Sequence, residues 1–177
     1  MRTTLKMDIY EAYFKHFDQN QKAMAASLPA LTYCIKLINT FKLENILDLG
    51  SGISTVMFTE RFTQVTSADS DPLWGNKTAA MVKELLGKDI KILDGIDNLD
   101  RKDFDFIFYD YGNLEDRIFN FPKVMAMDAK YIYLDDMHIL PYRYYVESKL
   151  KKERLVFLPE TIDDFGRFGA LIIKENK

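Results

Sequence analysis

The sequence predicts an α/β protein, a doubly wound and mostly parallel sheet with a helical cap in front and an antiparallel hairpin at its end. Three observations carry this reading. Strand-like and helix-like runs alternate from Asn45 to about residue 152. A Gly-x-Gly turn, Gly50-Ser51-Gly52, divides the first strand of that series from its first helix. The last two strand-like runs stand too close to hold a helix between them. Alternation of this kind means parallel strands, right-handed crossovers and helices on both faces of the sheet.

Ahead of the alternation, residues 7–20 and 27–42 are expected to be helical. Ser27 followed by Pro29 makes a helix start, and Leu31, Cys34, Ile35, Ile38 and Phe41 fall on one apolar stripe. Cys34 therefore belongs to the core, and His16 lies on the first helix. Strands follow at 45–49, 64–68, 89–93, 104–109 and 130–134, with helices at 54–62, 73–87, 113–127 and 141–152. Asp71-Pro72 is a natural start for the helix that carries Trp74. Two further strands, 154–158 and 170–174, should pair antiparallel around a turn from Thr161 to Gly169. No repeat, linker or low-complexity segment interrupts the chain, so residues 1–177 read as one domain, with 1–43 as a helical cap and 44–177 as the core.

Composition narrows the class. The chain has 177 residues, 47% hydrophobic and 29% charged, enough to bury a substantial core. A net charge of −3 and a pI near 5.5 oppose a general nucleic-acid or anionic-membrane binder, whose phosphate affinity needs Lys and Arg. A single cysteine cannot form an internal disulfide, and neither a signal-peptide core nor a long apolar run is present, so the expected location is cytoplasmic. The 13 Phe and 10 Tyr fall mostly in strand-like runs and are expected to fill the core. Arg143, Lys149, Lys151, Lys152 and Arg154, beside Tyr142, Tyr144 and Tyr145, read as a solvated helix end rather than a nucleic-acid platform.

The chemistry is concentrated at the carboxyl ends of the predicted strands. Glycines at 50 and 52 allow a tight turn against which a ligand can lie, and the next helix turn offers free N–H groups. The second strand ends on Asp69, placed to accept hydrogen bonds from two ribose hydroxyls. A dinucleotide fingerprint would need glycine where this chain has Thr55. The run Asp48-Leu49-Gly50-Ser51-Gly52-Ile53-Ser54 instead resembles the first motif of the class I S-adenosylmethionine-dependent methyltransferases, acid-x-Gly-x-Gly-x-small. The resemblance covers roughly residues 44–174 and implies a Rossmann-like, seven-stranded sheet in the order 3-2-1-4-5-7-6. It further implies that S-adenosylmethionine is the cofactor. Asp48, Gly50, Ser51, Gly52 and Ser54 would then form its turn, Asp69 would hold the ribose with Ser70 also in the cofactor site, and Asp94, Gly95 and Ile96 would neighbour the adenine. Asp94-Gly95 reads equally well as an ordinary turn.

The fourth and fifth strands bring Asp110, Asp135 and Asp136 to the same rim, whereas Asp105 starts the fourth strand at the opposite edge. Close carboxylates repel unless a cation or proton intervenes. The arrangement resembles the metal-dependent O-methyltransferases, which implies a magnesium ion on Asp110, Asp135 and Asp136, with Asp110 also beside the cofactor and Asp110 and Asp136 serving catalysis. That family commonly has a lysine base three residues after the first acid, where this chain has Asn113; His138 is the substitute base. The other reading is that Asp110 or Asn113 caps the next helix and that the Asp135-Asp136 pair is solvated. The expected function is methyl transfer to an oxygen of a small molecule, with no nucleic-acid or membrane partner. The alternatives are a non-catalytic S-adenosylmethionine- or nucleotide-binding module, and an NAD-dependent oxidoreductase, which Thr55 and the terminal hairpin oppose.

Overall fold

A computed structural model describes residues 4–16 and 24–174. Its centre is a seven-stranded sheet in the order β3-β2-β1-β4-β5-β7-β6, formed by β1 (Ile46–Leu49), β2 (Val65–Asp69), β3 (Ile92–Asp94), β4 (Asp103–Tyr109), β5 (Asp128–Leu134), β6 (Arg154–Leu158) and β7 (Gly169–Ile173). β1 to β5 are parallel, and β7 lies antiparallel between β5 and β6. The expected strand order and terminal hairpin are both present.

Helices α1 (Thr4–His16), α2 (Leu28–Phe41), α3 (Ile53–Arg61), α4 (Pro72–Leu86), α5 (Leu114–Ala126) and α6 (Leu140–Lys149) complete the fold. Their starts follow local chemistry. The Ser27 hydroxyl accepts the Ala30 N–H at 3.2 Å, and the Asp71 carboxylate accepts from Leu73 and Trp74. Asn113 caps α5 in a reciprocal pair with Asp116, each side chain accepting the other's backbone N–H at 3.0 Å. Asp105 accepts the Glu44 and Asn45 N–H groups at the amino edge, which makes it structural.

Several boundaries differ from expectation. The first helix begins at Thr4 rather than residue 7, and its expected end at 17–20 lies outside the described residues. β3 is shorter and later than 89–93, because only Ile92 to Asp94 pair with β2. α6 ends at Lys149 instead of 152, where Leu150 turns to an extended conformation.

Two apolar clusters fill the two faces of the sheet. One joins α1 and α2 to α3 and α4 through Tyr13, Phe14, Leu31, Cys34 and Phe58, and the other joins α5 and α6 through Phe121, Val124, Tyr142 and Val146. Of the basic run, Arg143 lies over the rings of Phe157 and Phe168 and Lys149 over Tyr145, while Lys149, Lys151, Lys152 and Arg154 are exposed, as expected of a solvated helix end. Among the described residues, no helix is long and apolar enough to cross a membrane.

Register sets up the site. Leu49 pairs with Ala68 on one side and Tyr109 on the other, and Tyr109 pairs with Leu134. The next residues, Gly50, Asp69, Asp110 and Asp135, therefore emerge at one level of the carboxyl edge. Sheet order reverses between β2-β1 and β1-β4, and such a switch point opens a crevice for ligands.

Candidate cofactor-binding site

A cavity of about 290 Å³ lies in this crevice. Gly50 to Ser54, Asp69, Trp74, Asp110, Gly112 and Arg117 wall it from the sheet side, while Tyr13, Met24, Ala25 and Ala26 cover it from the cap.

The two glycines of the turn do different work. Gly50 has φ +100°, and a Cβ there would collide with the Asp110 carbonyl, so the close approach of β1 to β4 demands glycine. At Gly52 a Cβ would meet only the Tyr13 hydroxyl at 3.5 Å and the Trp74 indole nitrogen at 3.8 Å. A larger side chain would project between those two cavity-lining groups.

Asp69 holds the turn in shape. One carboxylate oxygen accepts the Ser51 N–H at 2.6 Å and the Ser51 hydroxyl at 2.8 Å, and the other accepts the Asp71 N–H at 2.8 Å. The Trp74 indole N–H donates to the Ser51 carbonyl at 2.7 Å. All of these bonds come from neutral donors.

Asp48 lies beneath the turn, fully buried, and does not line the cavity. Its Oδ2 accepts from Ser54 and Thr55, and its Oδ1 has no partner among the described residues. Burial pushes this carboxyl up to about 7, against the pull of those hydroxyls. Thr55 is more than a missing glycine: its hydroxyl also accepts the Gly52 N–H and lies 3.1 Å from the Ser67 hydroxyl, tying the α3 start to β2.

The expected adenine neighbours stand outside the cavity. Asp94 is exposed, as is Ser70, and neither Gly95 nor Ile96 lines it. The buried Tyr111, which follows β4, puts its hydroxyl where it accepts the Ile96 N–H at 3.1 Å. The described cavity thus ends short of the β3 turn.

At the β4–β5 end, the acids are gathered as expected, but around a side chain. Arg117 of α5 places Nη2 2.5 Å from Asp110 Oδ1 and Nη1 2.7 Å from Asp136 Oδ2. Burial lowers the affinity of Arg117 for its proton, yet Asp110 and Asp136 outweigh that and hold it charged. Burial pushes the Asp110 carboxyl up, Arg117 pulls it back, and Asp135 and Asp136 add to the push. Asp135 is buried and pushed up to about 6 by burial and by Asp136; it accepts from the Tyr133 hydroxyl at 3.4 Å.

The magnesium reading finds no support in this arrangement. A divalent ion needs several oxygen ligands converging on one point. Here a guanidinium bridges Asp110 and Asp136, and no group of three acids, histidines or cysteines among the described residues is arranged to hold a metal. Asn113, at the place of the family's lysine, is a helix cap. His138 does not line the cavity, and its Nδ1 stands 3.7 Å from Asp136 Oδ1.

Sequence reasoning missed Arg117, Tyr13 and Trp74. Arg117 had a readable signal: it lies in the first turns of α5, where the helix dipole disfavours a cation, so it needs acidic partners.

Neither a family model nor a curated protein sequence matches the chain. Solved structures do. An O-methyltransferase from Bacillus cereus in complex with S-adenosylhomocysteine superposes with a TM-score of 0.74 at 15% identity, over 98% of this chain and 92% of that one. The O-methyltransferase TomG from Streptomyces achromogenes, in complex with S-adenosylmethionine, gives 0.71 at 13% identity, over 95% and 89%. A protein of an RNA repair complex gives 0.59 at 13% identity, over 94% and 46%. With the strand order, the Gly-x-Gly turn at the switch point and these superpositions, the chain has the Rossmann-like fold of the class I S-adenosylmethionine-dependent methyltransferases.

Proposed function

We propose that this chain binds S-adenosylmethionine in the cavity at the β1 turn and transfers its methyl group to an oxygen of a small molecule. The observation that carries the reading is the convergence of the Gly50–Gly52 backbone, Asp69 and Asp110 on one cavity at the switch point. Asp69 supports a ribose, since its Oδ1 accepts only one described hydrogen bond and keeps acceptor capacity. The solved O-methyltransferases that share the fold, two of them with the cofactor or its product bound, support the same ligand. The cap residues belong to this unit in our reading of residues 1–177 as one domain, because Tyr13 and Ala26 both line the cavity and join the core.

Methyl transfer is an in-line displacement at a sulfonium carbon, so the protein mainly brings acceptor and methyl within attack distance. The cofactor supplies the activated methyl group when bound. Asp110 lies in the cavity wall, and its upward-pushed carboxyl suits it to accept the acceptor's proton. A base must come within about 3 Å of the proton it removes, which favours Asp110 over Asp136 and His138. The acidic pI supports a small molecule over a nucleic acid as acceptor.

The test is calorimetry with S-adenosylhomocysteine. The wild-type chain should bind it, and Gly52→Val should lose binding while keeping a cooperative unfolding transition. Normal binding by that variant would move the cofactor elsewhere. Formation of S-adenosylhomocysteine from S-adenosylmethionine, screened over hydroxyl-bearing acceptors, then separates an enzyme from a binding module.

A further inference from the structure

We propose that Arg117 is a built-in counter-cation, standing between Asp110 and Asp136 where a divalent metal would otherwise bind, so that this edge of the cavity works without one. Three observations converge on it. The first is the bridge itself, with one guanidinium nitrogen on each acid at 2.5 and 2.7 Å. Two cations cannot share so small a space between two acids without strong repulsion. A metal would have to evict a guanidinium that burial and both acids hold in place.

The second is the position of Arg117 on α5. The helix start is rich in acid, as the dipole prefers, with Glu115 and Asp116 in its first turn, and Arg117 follows them against that preference. Only 8% of Arg117 is exposed. A cation buried at the positive end of a helix persists where something on the far side compensates it, and Asp110 and Asp136 are that compensation.

The third is backbone conformation. Asp136 is one of two non-glycine residues with positive φ among the described residues, at 56°. Such a conformation carries a local cost and endures where the surroundings require it. Here it accompanies an Asp136 carboxylate that reaches Arg117 from the end of β5.

The functional consequence rests on the methyltransferase reading. Metal-assisted transfer uses a bound ion to hold and acidify the acceptor oxygen. In this chain a fixed guanidinium carries the positive charge from the outset and sets where Asp110 stands in the cavity wall. Arg117 is thus a positioning residue for Asp110, and the acceptor is a single protic oxygen presented to Asp110, with no need for two vicinal oxygens to chelate an ion.

Manganese(II) reports on this directly through the loss of its free-ion electron paramagnetic resonance signal. Wild-type chain should immobilise no stoichiometric manganese at about 1 mM, the upper end of the range over which oxygen-ligand cation sites fill. Arg117→Ser removes the guanidinium and should gain manganese affinity by about tenfold or more, a gain that Asp110→Asn added to it should abolish. Arg117→Lys keeps the charge and should bind no manganese; it serves as the folded control if the serine variant fails to fold. In acceptor assays the lysine variant should lower kcat more than it raises KM, since the charge stays and the two-pronged placement of Asp110 is lost. Stoichiometric manganese on wild-type chain, lost in Asp110→Asn, would overturn the proposal. So would a folded serine variant that gains no manganese affinity, or a lysine variant whose kcat and KM match those of wild type. Calorimetry with S-adenosylhomocysteine on the same samples tests the methyltransferase reading separately, because manganese binding at this rim does not depend on the cofactor.

Discussion

At the β1–β2 end of the cavity, the buried carboxylate of Asp69 is satisfied by neutral donors, two from Ser51 and one from Asp71. At the β4–β5 end, Asp110 and Asp136 share one guanidinium. The two solutions leave different things behind. Neutral donors stabilise a charge without cancelling it, so in the proposed reading the Asp69 end still offers negative potential to ribose hydroxyls and to a cationic sulfonium. An ion pair cancels charge and fixes geometry, but it makes each partner depend on the other. On that reading the first end therefore serves cofactor binding, and at the second the Asp110 carboxyl in the cavity wall depends on the architecture around it.

The largest effect should come from breaking the second arrangement. Arg117→Ala leaves Asp110 and Asp136, both mostly but not fully buried, without their counter-cation and should cost up to about 3–5 kcal/mol of stability. Denaturant unfolding measures it, and a loss below about 1 kcal/mol would mean that the rim is solvated, erasing the contrast between the ends.

Asp48 sharpens the comparison, because it is a buried acid with hydroxyl donors and no cation. Its folded pKa of about 7 lies above the ordinary 3.8, so the folded state holds a proton that the unfolded state releases between these values. Stability from this group is complete below about pH 4 and is lost as pH rises through about 7. Asp48→Asn should accordingly gain stability over wild type at pH 8, on the order of a few kcal/mol, with the difference shrinking towards pH 4. Thermal melts across that range provide the reading, and a pH-independent difference would assign the titration to another group.

Asp69→Asn keeps an acceptor for Ser51 but discards the charge. Affinity for S-adenosylhomocysteine should fall by about 1–3 kcal/mol, as for other hydrogen bonds to charged groups. Unchanged affinity in calorimetry would deny this end its ligand-facing role. The smallest effect is expected at His138, which is outside the cavity wall and stands 3.7 Å from Asp136, a residue that does not line the cavity either. His138→Ala should change turnover by less than about tenfold, under 1.4 kcal/mol. A larger loss would restore it as the base.

Much of the architecture is legible without coordinates. Alternation of strand and helix patterns, the tight Gly-x-Gly turn, the caps at Ser27 and Asp71 and the closing hairpin are written in short stretches whose geometry depends on near neighbours. The sheet order is what the resemblance to the class I methyltransferases implies, and the common level of Gly50, Asp69 and Asp110 follows once the strands pair in parallel. The identity of the rim's cation was not legible in that way. Three acids at adjacent strand ends announce a positive charge, but a metal and an arginine satisfy the same demand, and Arg117 comes from a helix whose rotation and packing no local pattern specifies. The same holds for Tyr111 at the β3 turn and for Tyr13 and Trp74 around Gly52. The sequence by itself determined which backbone turns and charges meet at the carboxyl edge, because backbone demands and strand periodicity act over a few residues. Only the tertiary structure decided which side chains answer those charges, because that depends on contacts between elements far apart in the chain.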